Sequence, residues 1–238
     1  MSYRNTYLFA DIPVEIAHES PYLASLCAKY QTNEEPRYRL TVTKEDTLRE
    51  NDCFKGSFSH GYLESLAAYR KVCEAILAEN VILFHSSAIM VDGKAYLFTA
   101  PSGTGKSTHA RLWREMLGKQ AVMINDDKPL IRIHGNTATV YGTPYDGKEH
   151  LSTQTHAPIA GICILHQAKE NHISRLLSRD ALPTLLSQTY RPHTPALTAK
   201  LLPLVVTLAN TVPIYSLGCN ISREAAELSY HTMTEENK

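Results

Sequence analysis

The sequence predicts an α/β protein whose sheet mixes parallel and antiparallel strands. First, the apolar run Ala95 to Phe98 leads through a glycine-containing loop into a helical pattern that begins near Lys106. Second, Asp92-Gly93 separates that run from the apolar segment Val81 to Val91, and this dipeptide between two strands is typical of a two-residue hairpin. An antiparallel hairpin that feeds the loop distinguishes this sheet from a wholly parallel one.

Residues 1–80 are predicted to form a small α+β extension packed on a core of residues 81–238. Its helical part is clearest after His60, where apolar residues recur at the spacing of one helix face. No chemistry-bearing motif is found in this extension. Its predicted elements are strands at Tyr7 to Ile16 and Tyr38 to Thr43 and helices at Ser20 to Tyr30 and His60 to Asn80.

The second part of the chain continues as alternating apolar runs and helical patterns. Gly135-Asn136 lies between two strand-like runs and predicts a second hairpin. Ser222 is the expected N-cap of the last helix. The predicted strands are Gln120 to Asn125, Leu130 to Ile133, Thr137 to Tyr141, Pro158 to Leu165 and Pro213 to Leu217, and the predicted helices are Leu182 to Tyr190, Ala196 to Asn210 and Ser222 to Met233.

The composition excludes several classes of protein. The 24 basic and 24 acidic side chains cancel, so bulk charge recruits neither nucleic acid nor a membrane. No apolar run approaches the roughly 18 residues of a membrane helix, and the first ten residues lack a signal-peptide pattern. The five cysteines are scattered without a C-x-x-C pair, so neither a disulfide framework nor a zinc site is expected. We therefore expect a cytoplasmic protein with reduced, mostly buried thiols.

The stretch Thr99 to Thr108, TAPSGTGKST, has the order that a phosphate-binding loop requires. Gly103 and Gly105 allow the backbone to curl around an anion, and the following helix adds its positive dipole end. The strict pattern G-x-x-x-x-G-K-[ST] has Ala100 at its first position, which is still a small residue. The residues predicted to bind a triphosphate are Ser102, Gly103, Thr104, Gly105, Lys106, Ser107 and Thr108.

Three further side chains are predicted to lie near the phosphates. Asp126 and Asp127 follow an apolar strand, where carboxylates can hold Mg²⁺ or accept a proton from an attacking hydroxyl. The register of a tight turn at Asp92-Gly93 sets His85 roughly opposite Ala100. We therefore expect these three residues to converge on the terminal phosphate.

The segment Tyr141 to Ser152 is rich in glycine, proline and polar residues. A loop of this composition after a strand is typical of an active-site lid, in which Lys148 is available to a transferred phosphoryl group. A plain surface connection fits the same composition. Both interpretations stay open at this point.

Three segments together resemble, in order and spacing, the catalytic region of HPr kinase/phosphorylase and of ATP-dependent phosphoenolpyruvate carboxykinase. They are FHSSA at 84–88, APSGTGKST at 100–108 and NDDK at 125–128. The resemblance is strong over residues 81–148 and implies a mixed-sheet P-loop kinase core, like the C-terminal domain of HPr serine kinase. Residues 141–148 do not reproduce the signature that follows the double aspartate in HPr kinases. HPr as substrate and phosphorylase activity are therefore not expected. Decarboxylation is not expected either, because the carboxykinases are much longer and their separate arginine and lysine contacts for the carboxylic substrate are not found in this sequence.

The resemblance implies a role for each matching residue. Lys106 would contact the phosphates, and Ser107 and Asp127 would hold Mg²⁺. Asp126 would act as base toward the acceptor, with His85 close to that base. The division of roles between Asp126 and Asp127 is the least determined of these assignments.

The sequence thus predicts a kinase that uses ATP and Mg²⁺ to phosphorylate a hydroxyl, on a serine or threonine of a peptide or small protein. A small-molecule kinase and a non-catalytic ATP-binding regulatory or assembly module are the alternatives. His85, Asp126 and Asp127 favour chemistry, because nucleotide binding alone requires only the loop and the metal. The family tends to form homo-oligomers, but no stretch of this sequence demonstrates an interface.

Overall fold

A computed structural model describes residues 2–53 and 57–235 of the chain. The chain divides into two units, Met1–Glu79 and Asn80–Lys238. Strands and helices occur in both units, and the second unit contains parallel and antiparallel strand pairs. The predicted α/β class with a mixed sheet is therefore confirmed, while the packing of the first unit on the second stays a prediction.

The first unit has a three-stranded sheet with the order β1-β2-β3. Its first two strands form an antiparallel hairpin and its third runs parallel to the second. Its elements are β1 (Tyr3–Phe9), β2 (Ile12–His18), α1 (Pro21–Leu26), β3 (Tyr38–Thr41), α2 (Lys44–Cys53) and α3 (His60–Ile76).

The single strand predicted at Tyr7 to Ile16 is wrong, because a hairpin turn interrupts it at Ala10-Asp11. Both turn residues have positive φ angles, 50° and 59°. This conformation is favoured in two-residue hairpins because it matches the twist of the flanking strands. Glycine or asparagine usually occupies the first position of such a turn. Alanine stands there in this sequence, so the turn was not predicted.

The helix α3 begins at the predicted position because Ser59 caps it. The Ser59 hydroxyl accepts a hydrogen bond from the Tyr62 N–H at 3.3 Å, which satisfies one of the donors at the helix start. Val72 and Ile76 lie on its apolar face and are completely buried. The sheet of this unit therefore has a helical layer over one face.

The second unit is built around a larger sheet with helices packed on it. Its strands are β4 (Val81–Leu83), β5 (Ser87–Val91), β6 (Lys94–Thr99), β7 (Val122–Asn125), β8 (Leu130–His134), β9 (Thr137–Tyr141), β10 (His156–Gln167), β11 (His172–Arg175) and β12 (Ile214–Cys219). Its helices are α4 (Lys106–Leu117), α5 (Ser178–Gln188), α6 (Pro195–Thr211) and α7 (Arg223–Glu235).

The long strand β10 joins two parts of this sheet. Its middle pairs parallel with β6, its first residues pair antiparallel with β9, and its last residues pair parallel with β12. On the β6 side the order continues through β5 to β7, and on the β9 side through β8 to β4. Because β5 runs antiparallel to both β6 and β7, its amino end lies beside their carboxyl ends. We call this border of the sheet the site edge.

The predicted hairpin at Asp92-Gly93 is confirmed, with φ angles of 51° and 75° at its two turn residues. Its register ends with the pair Ser87 and Phe98, so the position of His85 opposite Ala100 stays a prediction. The His85 carbonyl accepts from Thr99 Oγ1 at 2.8 Å. The single strand predicted at Val81 to Val91 is wrong. The chain leaves β4 at Phe84, where the His85 N–H donates to the Gln188 carbonyl instead of continuing the hairpin.

A buried cluster fixes α4 on the sheet. Trp113 is fully buried and its ring lies edge-on to Phe98, with the centroids 5.0 Å apart. The Ser229 hydroxyl on α7 accepts from Trp113 Nε1 at 2.8 Å and lies 2.9 Å from His109 Nε2. Helix α4, which follows the glycine loop, is therefore tied to the sheet and to α7.

Two further predictions concern cysteines and membranes. Cys27, Cys73, Cys163 and Cys219 are free thiols, and the first three are buried. The side chain of Cys53 lies outside the described part. Within residues 2–53 and 57–235, every helix is too short or too polar to cross a bilayer.

The buried His109 ring makes the stability of the protein dependent on pH. Burial lowers the pKa of His109 from 6.5 to about 4. Between these two pH values the imidazole is mostly protonated in the unfolded chain and mostly neutral in the folded chain. The free energy of unfolding is therefore expected to fall as the pH drops from 6.5, by about 3 kcal/mol at pH 4.

Urea unfolding between pH 4 and 7 measures this contribution in the wild type, in His109→Gln and in His134→Gln. We expect His109→Gln to lose that part of the pH dependence, whereas the exposed His134 serves as the matched control. An unchanged slope in His109→Gln would contradict the assignment.

Candidate active site

The glycine loop leaves β6 at the site edge and turns directly into α4. Gly103 and Gly105 have φ angles of 80° and 119°, in the region where a side chain is strained. Helix α4 begins at Lys106, and the first N–H groups of a helix have no acceptor within it. The loop therefore ends in backbone donors beside the positive end of a helix dipole, which suits an anion.

Lys106 lies inside this loop, with only 9% of its surface exposed. Its Nζ donates a hydrogen bond to the Ala100 carbonyl at 2.8 Å, which ties the two ends of the loop together. Burial lowers the pKa of Lys106, and the negative charges of Asp127 and Asp126 act in the opposite direction. The lysine thus shares its electrostatic environment with both aspartates.

Asp126 is buried at the end of β7 and is held by two hydroxyl groups. Its Oδ1 accepts from Ser87 Oγ at 2.6 Å, and its carboxylate also forms a hydrogen bond with the Ser107 side chain. Burial raises the pKa of Asp126 above its ordinary value, although both hydroxyl contacts lower it. A residue from the first turn of α4 and a residue from the start of β5 therefore both interact with this carboxylate.

Asp127 has a different environment, because both of its oxygens contact cationic or proton-donating groups. Its Oδ1 lies 3.0 Å from His85 Nε2, and its Oδ2 accepts from Lys128 Nζ at 2.6 Å. Burial acts to raise the pKa of Asp127, but the hydrogen bond with His85 and the charge of Lys128 hold it below the ordinary value. This carboxylate therefore stays ionised at neutral pH.

The structure brings the predicted chemical groups together at the site edge. Ser107 contacts Asp126, His85 contacts Asp127, and Lys106 interacts with both carboxylates. His85 contacts Asp127, whereas the resemblance set it beside a base assigned to Asp126. The roles of all these residues stay predictions.

The segment between β9 and β10 covers part of the site. Thr143 and Tyr145 are buried, and a Cβ added at Gly147 would lie 2.8 Å from Asp126 Oδ2. Lys148, by contrast, is exposed. The segment is thus fixed at its beginning and touches Asp126 at Gly147, and whether it acts as a lid stays a prediction.

Asn125 holds the turn that carries both aspartates, a contribution that the sequence interpretation missed. Its Oδ1 accepts from the backbone N–H groups of Asp127 and Lys128 at 2.9 and 2.8 Å. Its Nδ2 donates to both oxygens of Thr143 and to the Tyr145 carbonyl. An asparagine that binds the backbone two residues later forms an Asx turn, and this known signature could have identified it.

Ser87 was also missed as a contact of Asp126, although it belongs to the FHSSA segment. Ser87 is fully buried and forms the first pair of the β5-β6 ladder with Phe98. A serine at the start of a buried strand carries no sequence signal for a partner 39 residues away. Only the order of the strands brings the two together.

The oxygen atoms at the site edge suit Mg²⁺, which needs only a few protein ligands. They do not form a site in which protein side chains alone surround a metal. Across the described residues, no three His, Cys, Asp or Glu side chains converge as a metal cluster. Mg²⁺ keeps several waters and uses one or two carboxylates together with substrate phosphates. The hydroxyl of Ser107 and the carboxylate of Asp126, which contact each other, form a donor set of that kind.

Comparisons with known proteins found similarity among solved structures and no match among sequences. No family model matches the chain, and no curated protein matches it. A similar solved structure is that of the Hpr(Ser) kinase/phosphatase from Coxiella burnetii. The two chains are 10% identical, with 65% of this chain and 88% of that chain covered and a TM-score of 0.38. At this TM-score the similarity does not establish a shared fold, so the family assignment stays a prediction.

Asn125 is expected to stabilise the site through its buried hydrogen bonds. Asn125→Ala leaves the Asp127 and Lys128 N–H groups and the Thr143 carbonyl without this partner, so we expect the free energy of unfolding to fall by about 3 kcal/mol. Urea denaturation measures the change.

The matched control is Asn210→Ala, because Asn210 is exposed near the end of α6. This control is expected to change the free energy of unfolding by less than about 0.5 kcal/mol. Equal effects of the two substitutions would show that Asn125 does not hold the loop.

Proposed function

We propose that this protein transfers the γ-phosphoryl group of ATP to a hydroxyl group, on a serine or threonine of a peptide or small protein. The observation that carries the proposal is the convergence at the site edge. A glycine loop with a buried lysine lies beside two aspartates, one bonded to Ser107 and the other to His85. Nucleotide binding alone requires no histidine beside the second carboxylate.

The loop and Lys106 would bind the phosphates. The backbone N–H groups at the start of α4 and the Lys106 ammonium neutralise the negative charge that phosphoryl transfer redistributes. Lys106 Nζ has three N–H groups, and one of them donates to Ala100. The others are available to the β- and γ-phosphates, so the residue can hold the loop closed and contact the substrate.

Ser107 and Asp126 would hold Mg²⁺, which supplies charge neutralisation on the β- and γ-phosphate oxygens when bound. Their interaction supports this assignment, since the Ser107 hydroxyl is close enough to lower the pKa of Asp126, and neighbouring oxygens can share one cation or its water shell. Burial raises the pKa of Asp126, and a nearby cation favours its ionised form. This proposal exchanges the roles that the resemblance implied for the two aspartates.

Asp127 would then act on the acceptor. Its carboxylate is ionised, which is the form that can accept the proton of the attacking hydroxyl. The acceptor oxygen forms a bond to the γ-phosphorus, the bond from that phosphorus to the β,γ-bridging oxygen breaks, and ADP leaves. His85, 3.0 Å from Asp127, orients the carboxylate during this step.

Transfer of label from γ-labelled ATP tests the proposed reaction. The purified protein is incubated with Mg²⁺ and either a library of serine- and threonine-containing peptides or small alcohols. We expect transfer to the peptides, and its loss in Lys106→Ala, because that variant removes a phosphate contact. Lys119→Ala, a lysine just beyond α4, is the matched control and is expected to retain activity.

The outcome separates the alternative functions. Label on a small alcohol but on no peptide supports a small-molecule kinase. Tight binding of ATP without transfer to either acceptor class contradicts the proposal and supports a regulatory or assembly module.

A second experiment separates the roles of the two aspartates. Asp126→Asn is expected to weaken ATP binding in the presence of Mg²⁺ while leaving the Mg²⁺-free affinity nearly unchanged, because it removes a metal contact. Asp127→Asn is expected to leave ATP binding unchanged and to slow transfer by at least about 100-fold, the usual contribution of a general base. Calorimetry with and without Mg²⁺ measures the first effect and initial rates the second. The opposite pattern would restore the assignment implied by the resemblance.

A further inference from the structure

Two exposed histidines meet on one face of the larger sheet, away from the site edge residues described above. The strand ladder pairs His166 of β10 with Gly218 of β12, and it pairs Gly218 with His172 of β11. The two histidines therefore flank one glycine from opposite sides. Both are exposed, and their ring centroids lie 5.6 Å apart. Because successive side chains alternate across a sheet, the pair lies on the opposite face from the buried Leu165.

Gly218 leaves the space between the two rings open, because it has no side chain. A Cβ added at this position would lie 2.6 Å from His172 Nε2 and 2.9 Å from His166 Nε2. Both Nε2 atoms therefore border the same space above the glycine. The bond from zinc to a histidine nitrogen is about 2.0 to 2.1 Å long. Small rotations of the two exposed rings are thus sufficient to bring both nitrogens onto one ion.

His172 is oriented for metal binding by its other ring nitrogen. Its Nδ1 lies 3.2 Å from the Glu170 carbonyl oxygen. A carbonyl oxygen can only accept a hydrogen bond, so Nδ1 carries the proton and Nε2 of the neutral ring has the free lone pair. Metal-binding histidines typically donate their second ring nitrogen to a backbone carbonyl in this way. The nitrogen that faces Gly218 is therefore the one able to bind a cation.

The connection between β10 and β11, which precedes His172, is fixed to the end of β12. Asn220 Nδ2 donates to the Lys169 carbonyl at 3.1 Å, and the Asn220 N–H donates to Asn171 Oδ1 at 3.0 Å. These hydrogen bonds hold the start of β11 beside the strand that carries Gly218. Both histidines are thus placed by paired strands, which position ligands more precisely than loops do.

We propose that His166 and His172 together bind one late first-row transition ion of the Zn²⁺ type, with water in its remaining positions. Imidazole suits Zn²⁺, Cu²⁺ and Ni²⁺, whereas Mg²⁺ prefers oxygen ligands. Groups of three His, Cys, Asp or Glu side chains suited to a metal are absent from residues 2–53 and 57–235, so the protein supplies two ligands and the ion faces solvent. The ion links β10 to β11 across β12. An ion that binds only the folded chain stabilises it.

Calorimetry with Zn²⁺ as the probe tests this site, with excess Mg²⁺ present to compete for oxygen ligands. His166→Gln and His172→Gln are each expected to weaken Zn²⁺ binding by at least about tenfold, since even the loss of a ligand's hydrogen-bond partner typically costs 10- to 100-fold. Gly218→Ala is expected to do the same, because the new Cβ occupies the space between the two nitrogens. The matched control carries both His134→Gln and His231→Gln, two exposed positions, and is expected to bind Zn²⁺ as the wild type does.

Thermal unfolding with and without Zn²⁺ provides a second measurement. The melting temperature of the wild type and of the control is expected to rise with Zn²⁺, whereas that of the three site variants is expected to stay constant. Melting without Zn²⁺ shows that each variant is folded.

Three results would overturn the site. They are a wild type that binds no Zn²⁺, wild-type affinity in any of the three site variants, and a Zn²⁺-dependent rise in melting temperature that persists in those variants. None of them affects the proposed phosphoryl transfer, which depends on the residues of the site edge and is measured with labelled ATP.

Discussion

The antiparallel placement of β5 between β6 and β7 is the constraint on which the site depends. A strand reversed between two parallel neighbours begins where they end. The residues before and at the start of β5, His85 and Ser87, therefore lie beside the glycine loop after β6 and the aspartates after β7. In a wholly parallel sheet the residues preceding a strand lie at the opposite border. The reversal thus adds a histidine and a serine to an edge that would otherwise carry only the loop and the carboxylates.

This arrangement gives two adjacent carboxylates opposite electrostatic environments. Asp126 is buried among neutral hydroxyl groups and has a raised pKa, whereas Asp127 lies between His85 and Lys128 and has a lowered one. Two titratable groups whose surroundings separate their pKa values are a frequent feature of sites with divided roles. Asn125 maintains the difference, because its side chain fixes the backbone of the turn that carries both residues.

Local signals in the sequence were sufficient for much of the fold and for the main groups of the candidate site. The hairpin at Asp92-Gly93, the start of α4 at Lys106 and the strand before Asp126 follow from turn chemistry and apolar periodicity, which act within a few residues. The break after β4 was not predicted, because the run from Val81 to Val91 is continuously apolar. Its cause is the pairing of His85 with Gln188, a contact across about a hundred residues that no local pattern records. The hydrogen bond from Ser87 to Asp126 escaped prediction for the same reason, since it depends on strand order.

The pairing of β10 has a consequence for motion in the second unit. This strand has β6 beside its middle, β9 beside its first residues and β12 beside its last, so neither part of the sheet can separate without breaking its ladder. The amide protons of β10 are accordingly expected among the slowest to exchange with solvent, and the unit opens cooperatively. Rearrangement of this unit in its folded state is then restricted to the connecting segments, while the strand framework keeps the spacing of their attachment points constant.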